Sequence, residues 1–256
     1  MKNMKIDRIE QIHDLLKKNR SISLNDLCDT FGVSKNTIRR DVAELEKNGI
    51  IRKVYGGIVL NENESGAPEP FAYREGRNVD AKKLVAQLAA EQVQDGDVIY
   101  IDSGTTTMHM IPYLVKKRYL TIVTASVHVI NAAGSFPGLN IISTGGTLYM
   151  PSNAFVGPSV LAALQNYNLS KVFLASTGIS IAHGATNASP LECEIKRSLA
   201  QKNAESYLLV DSTKFNKASL MTYCQLSDLN ALITEKEPDK EYVDYFEKHN
   251  VRLILP

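Results

Sequence analysis

The amino-acid sequence predicts an α/β protein with two domains, a small N-terminal one of helices and a β-hairpin and a larger C-terminal one built on a mostly parallel sheet. Two observations predict this arrangement. Apolar residues recur at helical spacing through the first part of the chain, whereas the later part alternates short, continuously apolar runs with amphipathic ones. A polar segment separates the two patterns, and 256 residues suffice for a large domain and a small one.

Two helices are predicted before residue 34. The first covers IDRIEQIHDLLKK, whose aliphatic residues fall on one face at helical spacing. The second begins at Ser23, which precedes Asp26 by three residues as in a capping box, and ends at Gly32. A tight turn then leads to the next helix.

A third helix and a hairpin complete the small domain. Ser34 caps the helix, whose apolar residues are spaced to face inward, and Gly49 ends it. In IIRKVYGGIVL two β-prone runs flank Gly56 and Gly57, which is typical of a hairpin. This order of elements is that of a winged helix-turn-helix, which we assign to residues 1–60.

The remaining sequence divides into a linker and the large domain. Residues 61–75, NENESGAPEPFAYRE, are polar, contain glycine and proline, and lack periodicity, so we interpret them as a linker. Residues 76–256 alternate amphipathic helices with the apolar runs DVIYI, LTIVT, LNIIST, KVFLAS, SYLLV, NALIT and VRLIL. Such runs predict a parallel sheet covered on both faces, with ligands bound at the carboxyl ends of its strands.

Composition adds modest constraints. Net charge is +1, with 12 basic and 8 acidic residues in 1–60 but 17 and 20 in 61–256, which suggests an anionic partner for the small domain. The three cysteines are scattered and form no metal-binding pattern, so we expect reduced thiols, no metal and no cofactor. The N-terminus lacks a secretory signal and no apolar run could span a membrane, so a cytoplasmic location is expected.

The third helix concentrates cations in its first turns, where the helix dipole disfavours them. The second helix of a helix-turn-helix enters the DNA major groove, where Arg and Lys match guanine and Asn matches adenine. We therefore expect DNA contacts from this helix and the hairpin, namely from Ser34, Lys35, Asn36, Thr37, Arg39, Arg40, Arg52, Lys53 and Tyr55. The open alternative is a solvated basic face on which Ser34 serves only as a cap.

A second distinctive stretch, DVIYIDSGTTTMHMIPYL, leads from a strand through residues 102–107 into a helix. Gly104 permits close approach of the backbone, and hydroxyl and free N–H groups at a helix start favour an anion, most obviously a phosphate. Neither the Walker A pattern nor GxGxxG is present. An ordinary capped turn is the alternative.

The stretch VSKNTIRRDVAELEKNGIIRKVYGG resembles the signature of the DeoR family of bacterial transcriptional regulators. The family's Thr-Ile-Arg-Arg-Asp core corresponds to residues 37–41, and the Tyr-Gly-Gly that closes its wing to residues 55–57. Further motifs of the family's effector domain stand at Gly145 and Gly146, Phe155 and Gly157, Glu192, Glu194, Lys196 and Arg197, and Asp211, Lys214 and Phe215. The resemblance therefore covers nearly the whole chain.

The resemblance implies an effector domain similar in fold to ribose-phosphate isomerases that binds phosphorylated sugars or related metabolites. It implies that the phosphate is held by Ser103, Gly104, Thr105, Thr106 and Thr107. It also implies that sugar oxygens meet Asp102 and Lys214 in a pocket that includes Gly145 and Glu192. Glu192 and Lys196 are four residues apart, a spacing that fits a surface ion pair as well as a place in the pocket, and this alternative stays open.

Two functions are compatible with these features. The first is a ligand-controlled transcription factor, in this family usually a repressor of carbohydrate catabolism genes, acting on operator DNA as a homodimer or homotetramer because one winged helix covers too few base pairs. The second is a sugar-phosphate isomerase with a DNA-binding appendage. The isomerases carry Asp-Gly-Ala-Asp and Lys-Gly-Gly segments that this sequence lacks, so we predict no catalytic residue and favour the regulator.

Overall fold

The computed structural model describes residues 2–19, 21–47, 50–60 and 71–256. The chain divides into a first unit, Met1–Gly76, and a second unit, Arg77–Pro256. In the first unit, three helices are followed by a hairpin, as predicted. The elements are α1 (Lys2–Asn19), β1 (Ser21–Ser23), α2 (Leu24–Phe31), α3 (Lys35–Lys47), β2 (Ile51–Val54) and β3 (Gly57–Leu60).

The helix caps of the first unit are those that the sequence indicated. Ser23 Oγ accepts a hydrogen bond from the N–H of Asp26 at 3.0 Å, and Gly32 ends α2 in the left-handed conformation with φ 59°. Ser34 Oγ accepts from the N–H of Thr37 at 3.3 Å and so caps α3. These caps satisfy backbone groups that have no partner within the helix.

The inward face of α3 joins α1 and the hairpin in one apolar core. Its apolar side chains are fully buried, as predicted: Ile38, Val42 and Leu45. Gly49, predicted to end this helix, lies outside the described residues. The burial leaves the opposite face of α3 to solvent.

Strand β1 was not predicted, and it explains the glycine that begins β3. The three strands form an antiparallel sheet in the order β1-β3-β2, with Ile22 opposite Ile58. A Cβ at Gly57 would lie 2.4 Å from the carbonyl oxygen of Ile22, so the close approach of β1 requires glycine. The hairpin turn consists of Tyr55 and Gly56, and Gly57 belongs to the strand.

The predicted linker differs from the structure at its end. Phe71–Glu75 form a short helix, α4, in which Phe71 and Tyr73 are buried. Tyr73 belongs to the apolar core of the first unit, and its ring centroid lies 4.8 Å from that of His13 in an edge-on arrangement. An irregular linker was therefore the wrong prediction for residues 71–75, because burial of two aromatic side chains outweighs their polar surroundings. Residues 61–70 lie outside the described residues.

The second unit is built on a seven-stranded parallel sheet, whose strands were all predicted. Their order is β15-β14-β12-β9-β4-β5-β6. The strands are β4 (Val98–Ile101), β5 (Thr121–Thr124), β6 (Asn140–Ser143), β9 (Lys171–Ala175), β12 (Glu205–Leu209), β14 (Ala231–Ile233) and β15 (Arg252–Ile254).

Five further strands, outside the main sheet, were not predicted. A two-stranded ribbon contains β7 (Thr147–Tyr149) and β8 (Ala154–Val156). An antiparallel sheet in the order β10-β11-β13 contains β10 (Gly178–Ser180), β11 (Gly184–Asn187) and β13 (Met221–Cys224). Each has three or four residues, and apart from Ala154–Val156 in β8 none is a continuous apolar run like those that mark the main strands.

Helices cover both faces of the main sheet. They are α5 (Val79–Glu91), α6 (Ile111–Leu114), α7 (Val127–Ala133), α8 (Pro158–Gln165), α9 (Pro190–Ala200) and α10 (Lys240–Lys248). Adjacent residues of β4 enter different apolar clusters, Ile99 and Ile101 one and Tyr100 the other, so each face has its own core. The helix predicted to follow residues 102–107 is a 3-10 turn, Thr107–Met110, followed by the single turn of α6.

Because the seven strands are parallel, their carboxyl ends meet at one edge of the sheet, which we call the carboxyl edge. The segments that leave this edge after β4, β6, β9 and β12 contain the sequence-predicted effector residues. Among the described residues no helix is long and apolar enough to cross a membrane.

Candidate functional site

The exposed face of α3 presents cations without partners. Arg39 and Arg40 are exposed, and neither forms a hydrogen bond or an ion pair with any described residue. Arg52 on β2 is likewise exposed and unpaired within the described chain. Three guanidinium groups are therefore free to bind the phosphates or base edges of DNA.

Two other predicted cations already have partners. Lys35 Nζ donates to Asn25 Oδ1 at 3.0 Å, and this bond links α3 to α2. Lys53 forms an ion pair with Glu46, and both side chains are about half exposed. The partner of Lys35 carries no charge, whereas the carboxylate of Glu46 offsets the charge of Lys53.

The remaining predicted DNA contacts are hydroxyl, amide and aromatic groups. Ser34 Oγ and Thr37 Oγ1 lie 3.0 Å apart, so one hydroxyl donates to the other. Asn36 is exposed on the same helix. Tyr55 is fully exposed in the hairpin turn, next to the partly exposed Val54. The Tyr55 side chain is therefore open to solvent at the tip of the hairpin.

Asp41 has a structural role that the sequence did not reveal. Its side chain is 1% exposed, and Oδ2 accepts a hydrogen bond from Nε of Arg8 at 2.6 Å. This ion pair joins α3 to α1. The acid within the Thr-Ile-Arg-Arg-Asp motif therefore fixes α3 against α1.

At the carboxyl edge, Asp102 and Lys196 form a buried ion pair. Each side chain is 3% exposed. Asp102 Oδ2 also accepts from the N–H of Ala175 at 2.9 Å, and Lys196 Nζ donates to the carbonyl oxygen of Ala175 at 3.0 Å. The pair thus joins the end of β4, the end of β9 and α9.

The buried pair of Asp102 and Lys196 rules out the surface ion pair that the sequence left open, and it also bears on the role predicted for Asp102. Glu192 and Lys196 are both buried and do not pair with each other, so the surface ion pair is wrong. Glu192 Oε1 instead accepts a hydrogen bond from Ser103 Oγ at 3.0 Å. Asp102, predicted to meet sugar oxygens, has its Oδ2 engaged by Lys196 and by the backbone.

Residues 103–107 form a compact loop, all of it buried. A Cβ at Gly104 would lie 2.3 Å from Cβ of Ala175, so only glycine fits. Thr107 Oγ1 donates to the carbonyl oxygens of Asp102 and Gly104 at 2.7 and 3.0 Å. The N–H groups of residues 103–106 donate to no acceptor in the described part of the chain. Successive backbone N–H groups without acceptors can bind an anion together when they point to the same side.

Gly145 and Lys214 lie farther along the carboxyl edge. Gly145 follows β6 with φ 62°, and its N–H donates to Ser143 Oγ at 3.2 Å. Lys214 ends a 3-10 turn, Ser212–Lys214, after β12 and is half-buried. Since β6 and β12 are each two strands from β4, these residues flank the 103–107 loop on opposite sides.

Asp211 is a further candidate site residue, which the sequence indicated only as part of a motif. It is 1% exposed, and Oδ1 accepts from the Thr213 N–H at 3.1 Å, from the Thr213 hydroxyl, and from Asn78 Nδ2 at 3.2 Å. Oδ2 is buried without a partner among the described residues. Its position just after a strand, like that of Asp102, was the signal that could have identified it.

Burial and neighbouring charges shift the pKa values of two further side chains near this edge, His109 and Tyr100. Burial, reinforced by Lys82 and Lys83, lowers the pKa of His109, and its Nε2 has no partner in the described structure. Burial, together with the charges of Asp102 and Glu192, raises the pKa of Tyr100 well above its usual value. Within the described ranges no three acidic, His or Cys side chains converge as metal ligands would.

Comparison with known proteins accounts for both units. A DeoR-like helix-turn-helix domain matches residues 8–64, and a DeoR C-terminal sensor domain matches residues 77–236. The HTH-type transcriptional regulator IolR of Bacillus subtilis is 38% identical over 98% of this chain and 100% of that protein. A lactose phosphotransferase system repressor of Staphylococcus aureus is 31% identical over 94% of this chain and 95% of that protein.

Among solved structures, ribose 5-phosphate isomerase A of Methanocaldococcus jannaschii is 19% identical and matches 54% of this chain and 55% of that one with a TM-score of 0.40. The family matches cover a DNA-binding domain and a sensor domain in the order in which the two units occur, and the similar regulators align over nearly their full length. The chain therefore belongs to the DeoR family of DNA-binding transcriptional regulators.

Proposed function

We propose that this regulator represses genes of carbohydrate catabolism and that a phosphorylated sugar bound at the carboxyl edge relieves the repression. The observation that carries the proposal is the row of free N–H groups in the 103–107 loop. A phosphate dianion is the metabolite group best matched to successive backbone donors beside a glycine. The name of the similar lactose phosphotransferase system repressor agrees with a sugar-related signal.

The polar groups of the edge divide between two parts of such a ligand. The N–H groups of the loop suit the phosphate, whereas the carboxylates of Glu192 and Asp211 suit sugar hydroxyls, which donate hydrogen bonds. A buried oxygen without a partner, such as Asp211 Oδ2, costs about 1–3 kcal/mol, and a ligand hydroxyl would remove this cost. Lys214 and Gly145 complete the proposed site on either side of the loop.

In the DNA-binding unit we assign the strongest contacts to the free guanidinium groups of Arg39 and Arg40. Arg52 and Tyr55 would hold the adjacent backbone or minor groove, while Lys35 would read a base edge from its position against Asn25. Selective binding needs two half-sites, so we propose a homodimer or homotetramer that acts in the cytoplasm.

The isomerase alternative is less well supported than the regulator. Proton transfer between sugar carbons needs a carboxylate base positioned on the substrate. Asp102 is held in an ion pair with Lys196 and Glu192 already accepts from Ser103, which leaves Asp211 Oδ2 as a buried carboxylate oxygen without a partner among the described residues. The proteins of high similarity are regulators, and we propose that this chain is not an enzyme.

Fluorescence anisotropy tests the proposal. Labelled DNA from the intergenic region beside the protein's own gene would be titrated at two salt concentrations, with pentose and hexose phosphates and with the same sugars unphosphorylated. We expect specific, salt-sensitive binding that one phosphorylated sugar weakens and its unphosphorylated form does not.

Two glycine variants make the test specific to the loop. Gly104→Ala, whose Cβ would lie 2.3 Å from Ala175, should bind DNA normally and lose the response to the sugar phosphate. Gly138→Ala, whose Cβ meets nothing within 4 Å, should behave like the unmodified protein. Equal responses to phosphorylated and unphosphorylated sugars, or an intact response in Gly104→Ala, would refute the proposed site.

A further inference from the structure

Asn78 adopts a strained backbone conformation where the chain enters the second unit. Its φ and ψ are 51° and 39°, a left-handed conformation that Asn tolerates better than most residues. It occupies the cap position before α5, yet its side chain forms no cap hydrogen bond. Strained residues of this kind persist where surrounding contacts hold them, often at functional sites.

The contacts that hold Asn78 come from the carboxyl edge. Nδ2 lies 3.2 Å from Asp211 Oδ1 and 3.2 Å from Thr213 Oγ1. Asp211 Oδ1 is therefore fully engaged, while Oδ2 of the same carboxylate is buried without a partner. The side-chain amide of Asn78 thus helps to fix which carboxylate oxygen is left for a ligand.

The loop that carries Asp211 is fixed from its other side. The N–H of Ser212 donates to both carboxylate oxygens of Glu235 at 3.0 Å, and Glu235 follows the neighbouring strand β14. The loop is consequently anchored to the sheet. A change in the Asn78 contact would therefore be taken up by Asn78 and the residues before it rather than by the loop.

The residues before Asn78 lead directly to the first unit. The boundary between units lies after Gly76, and Tyr73 is buried in the apolar core of the first unit. Only four residues separate Tyr73, anchored in one core, from Asn78, anchored at the carboxyl edge of the other unit. So short a connection can transmit a change in backbone conformation from one anchor to the other.

We propose that Asn78 is a positioning residue that presents Asp211 to the effector and couples effector occupancy to the segment joining the two units. This inference rests on the proposed function, because it takes Asp211 Oδ2 as an acceptor for the ligand. A hydroxyl that donates to Oδ2 draws charge from Oδ1 and weakens the hydrogen bond from Asn78. The strained backbone is then released, and the conformation of the segment that leads to Tyr73 changes with it.

Hydrogen exchange on the full chain without ligand tests the coupling directly. Asn78→Ala should raise exchange about fivefold or more in residues 71–77, which lose their anchor, and less in residues 211–214, which Glu235 still holds. Asn250→Ala is the matched control, because Asn250 is an exposed residue with a similar φ of 57°. Faster exchange in 211–214 alone would show that Asn78 is merely structural and would overturn the proposal.

Operator binding supplies the second readout. In Asn78→Ala, which lacks the hydrogen bond that the ligand would weaken, the ligand-free operator Kd should move toward the Kd of the ligand-bound unmodified protein. The sugar phosphate that acts on the unmodified protein should then change the operator Kd at least about tenfold less. An unchanged response would overturn the coupling. If no sugar phosphate acts on the unmodified protein, the proposed function fails, and the exchange result still decides whether Asn78 links the two segments.

Two further variants test the proposal even if Asn78→Ala fails to fold. Asn78→Gly keeps the left-handed backbone but removes both its strain and the side-chain amide. Thr213→Val removes one of the two acceptors of that amide. Both should reproduce the loss of coupling in a folded protein, and normal coupling in both would contradict the proposed role of the side chain.

Discussion

The ion pair of Asp102 and Lys196 illustrates how a single buried charge depends on its partner. Both groups lose their hydration in the second unit, and hydrogen bonds with the backbone of Ala175 compensate for part of that loss. Pairing a buried charge stabilises little in total, but removal of one member leaves the other charge buried and unpaired.

We therefore expect Lys196→Met to lower the free energy of unfolding by about 3–5 kcal/mol, measured by urea denaturation. Lys116→Met, a substitution of an exposed lysine, serves as the control and should have little effect. Adding Asp102→Asn to Lys196→Met should restore part of the loss. A change below about 1 kcal/mol in the single variant would contradict the picture of a buried unpaired carboxylate.

His109 predicts a dependence of stability on pH. Its pKa is lowered in the folded protein, so the unfolded chain binds a proton that the folded chain resists. Stability should be complete above the usual histidine pKa of about 6.5 and should fall as pH decreases through the lowered pKa. His109→Gln should reduce this loss.

The measurement is the free energy of unfolding in urea at several pH values between about 7.5 and 5, for His109→Gln and the unmodified protein. His183→Gln, at an exposed histidine, is the control and should keep the original dependence. Identical pH dependence in His109→Gln and the unmodified protein would show that His109 contributes nothing to it.

The cations of the DNA-binding unit should differ in their contribution to salt dependence. Arg39 is free, whereas Lys53 is paired with Glu46. Arg39→Ala should therefore reduce the slope of log K against log salt by about 0.9, the value for one lost phosphate contact, or relax the preference at one base if the contact is to a base edge. Lys53→Ala should change the slope less. Equal slopes for both variants, measured by anisotropy, would contradict this ranking.

At the scale of elements, the sequence predicted structure where the determining interactions are local. Continuous apolar runs marked all seven strands of the main sheet, and Ser23, Gly32 and Ser34 marked helix ends. Strand β1 was missed because three residues carry no pattern and exist as a strand only by pairing with β3. Helix α4 was missed because the burial of Tyr73 depends on a distant core.

In the candidate site, too, the local features were predictable from the sequence and the long-range contacts were not. The 103–107 loop was predictable because its glycine and hydroxyl residues are consecutive in the sequence. Lys196 and Asp102 are 94 positions apart, and Asn78 and Asp211 are 133 positions apart. Such contacts arise from the order of strands in the sheet, which no local pattern in one sequence specifies.

Gly57 tests the importance of the pairing between β1 and β3. In Gly57→Ala the new Cβ would lie 2.4 Å from the carbonyl oxygen of Ile22, so β1 must shift and the hairpin with it. We expect a loss of about 1–3 kcal/mol of stability in the first unit and weaker operator binding.

Thermal unfolding by circular dichroism and anisotropy with operator DNA would measure both effects of Gly57→Ala. Gly56→Asn is the matched control, because φ there is 83° with open space around the position, and Asn tolerates a positive φ. A Gly57→Ala protein with normal melting and normal operator affinity would show that the wing does not depend on β1.

At the scale of the whole molecule, regulation requires that two separate units respond to each other. DNA binding belongs to the first unit, and the proposed effector site belongs to the second. Any effect of the effector on operator affinity is then a coupling free energy, and thermodynamic linkage makes it reciprocal. An effector that favours one state shifts the population only by its difference in affinity for the two states.

Reciprocity gives a prediction that needs no knowledge of the path between the sites. If a sugar phosphate weakens operator binding by some factor, saturating operator DNA must weaken sugar phosphate binding by the same factor, typically about 5–150-fold. Isothermal titration calorimetry would measure the sugar phosphate Kd on the free protein and on the operator complex, and anisotropy would supply the operator Kd with and without the ligand. Equal ligand affinity for free and DNA-bound protein, combined with weakened operator binding, would contradict a two-site regulator. In Asn78→Ala both factors should fall together, because a residue that carries the coupling must affect it equally from either side.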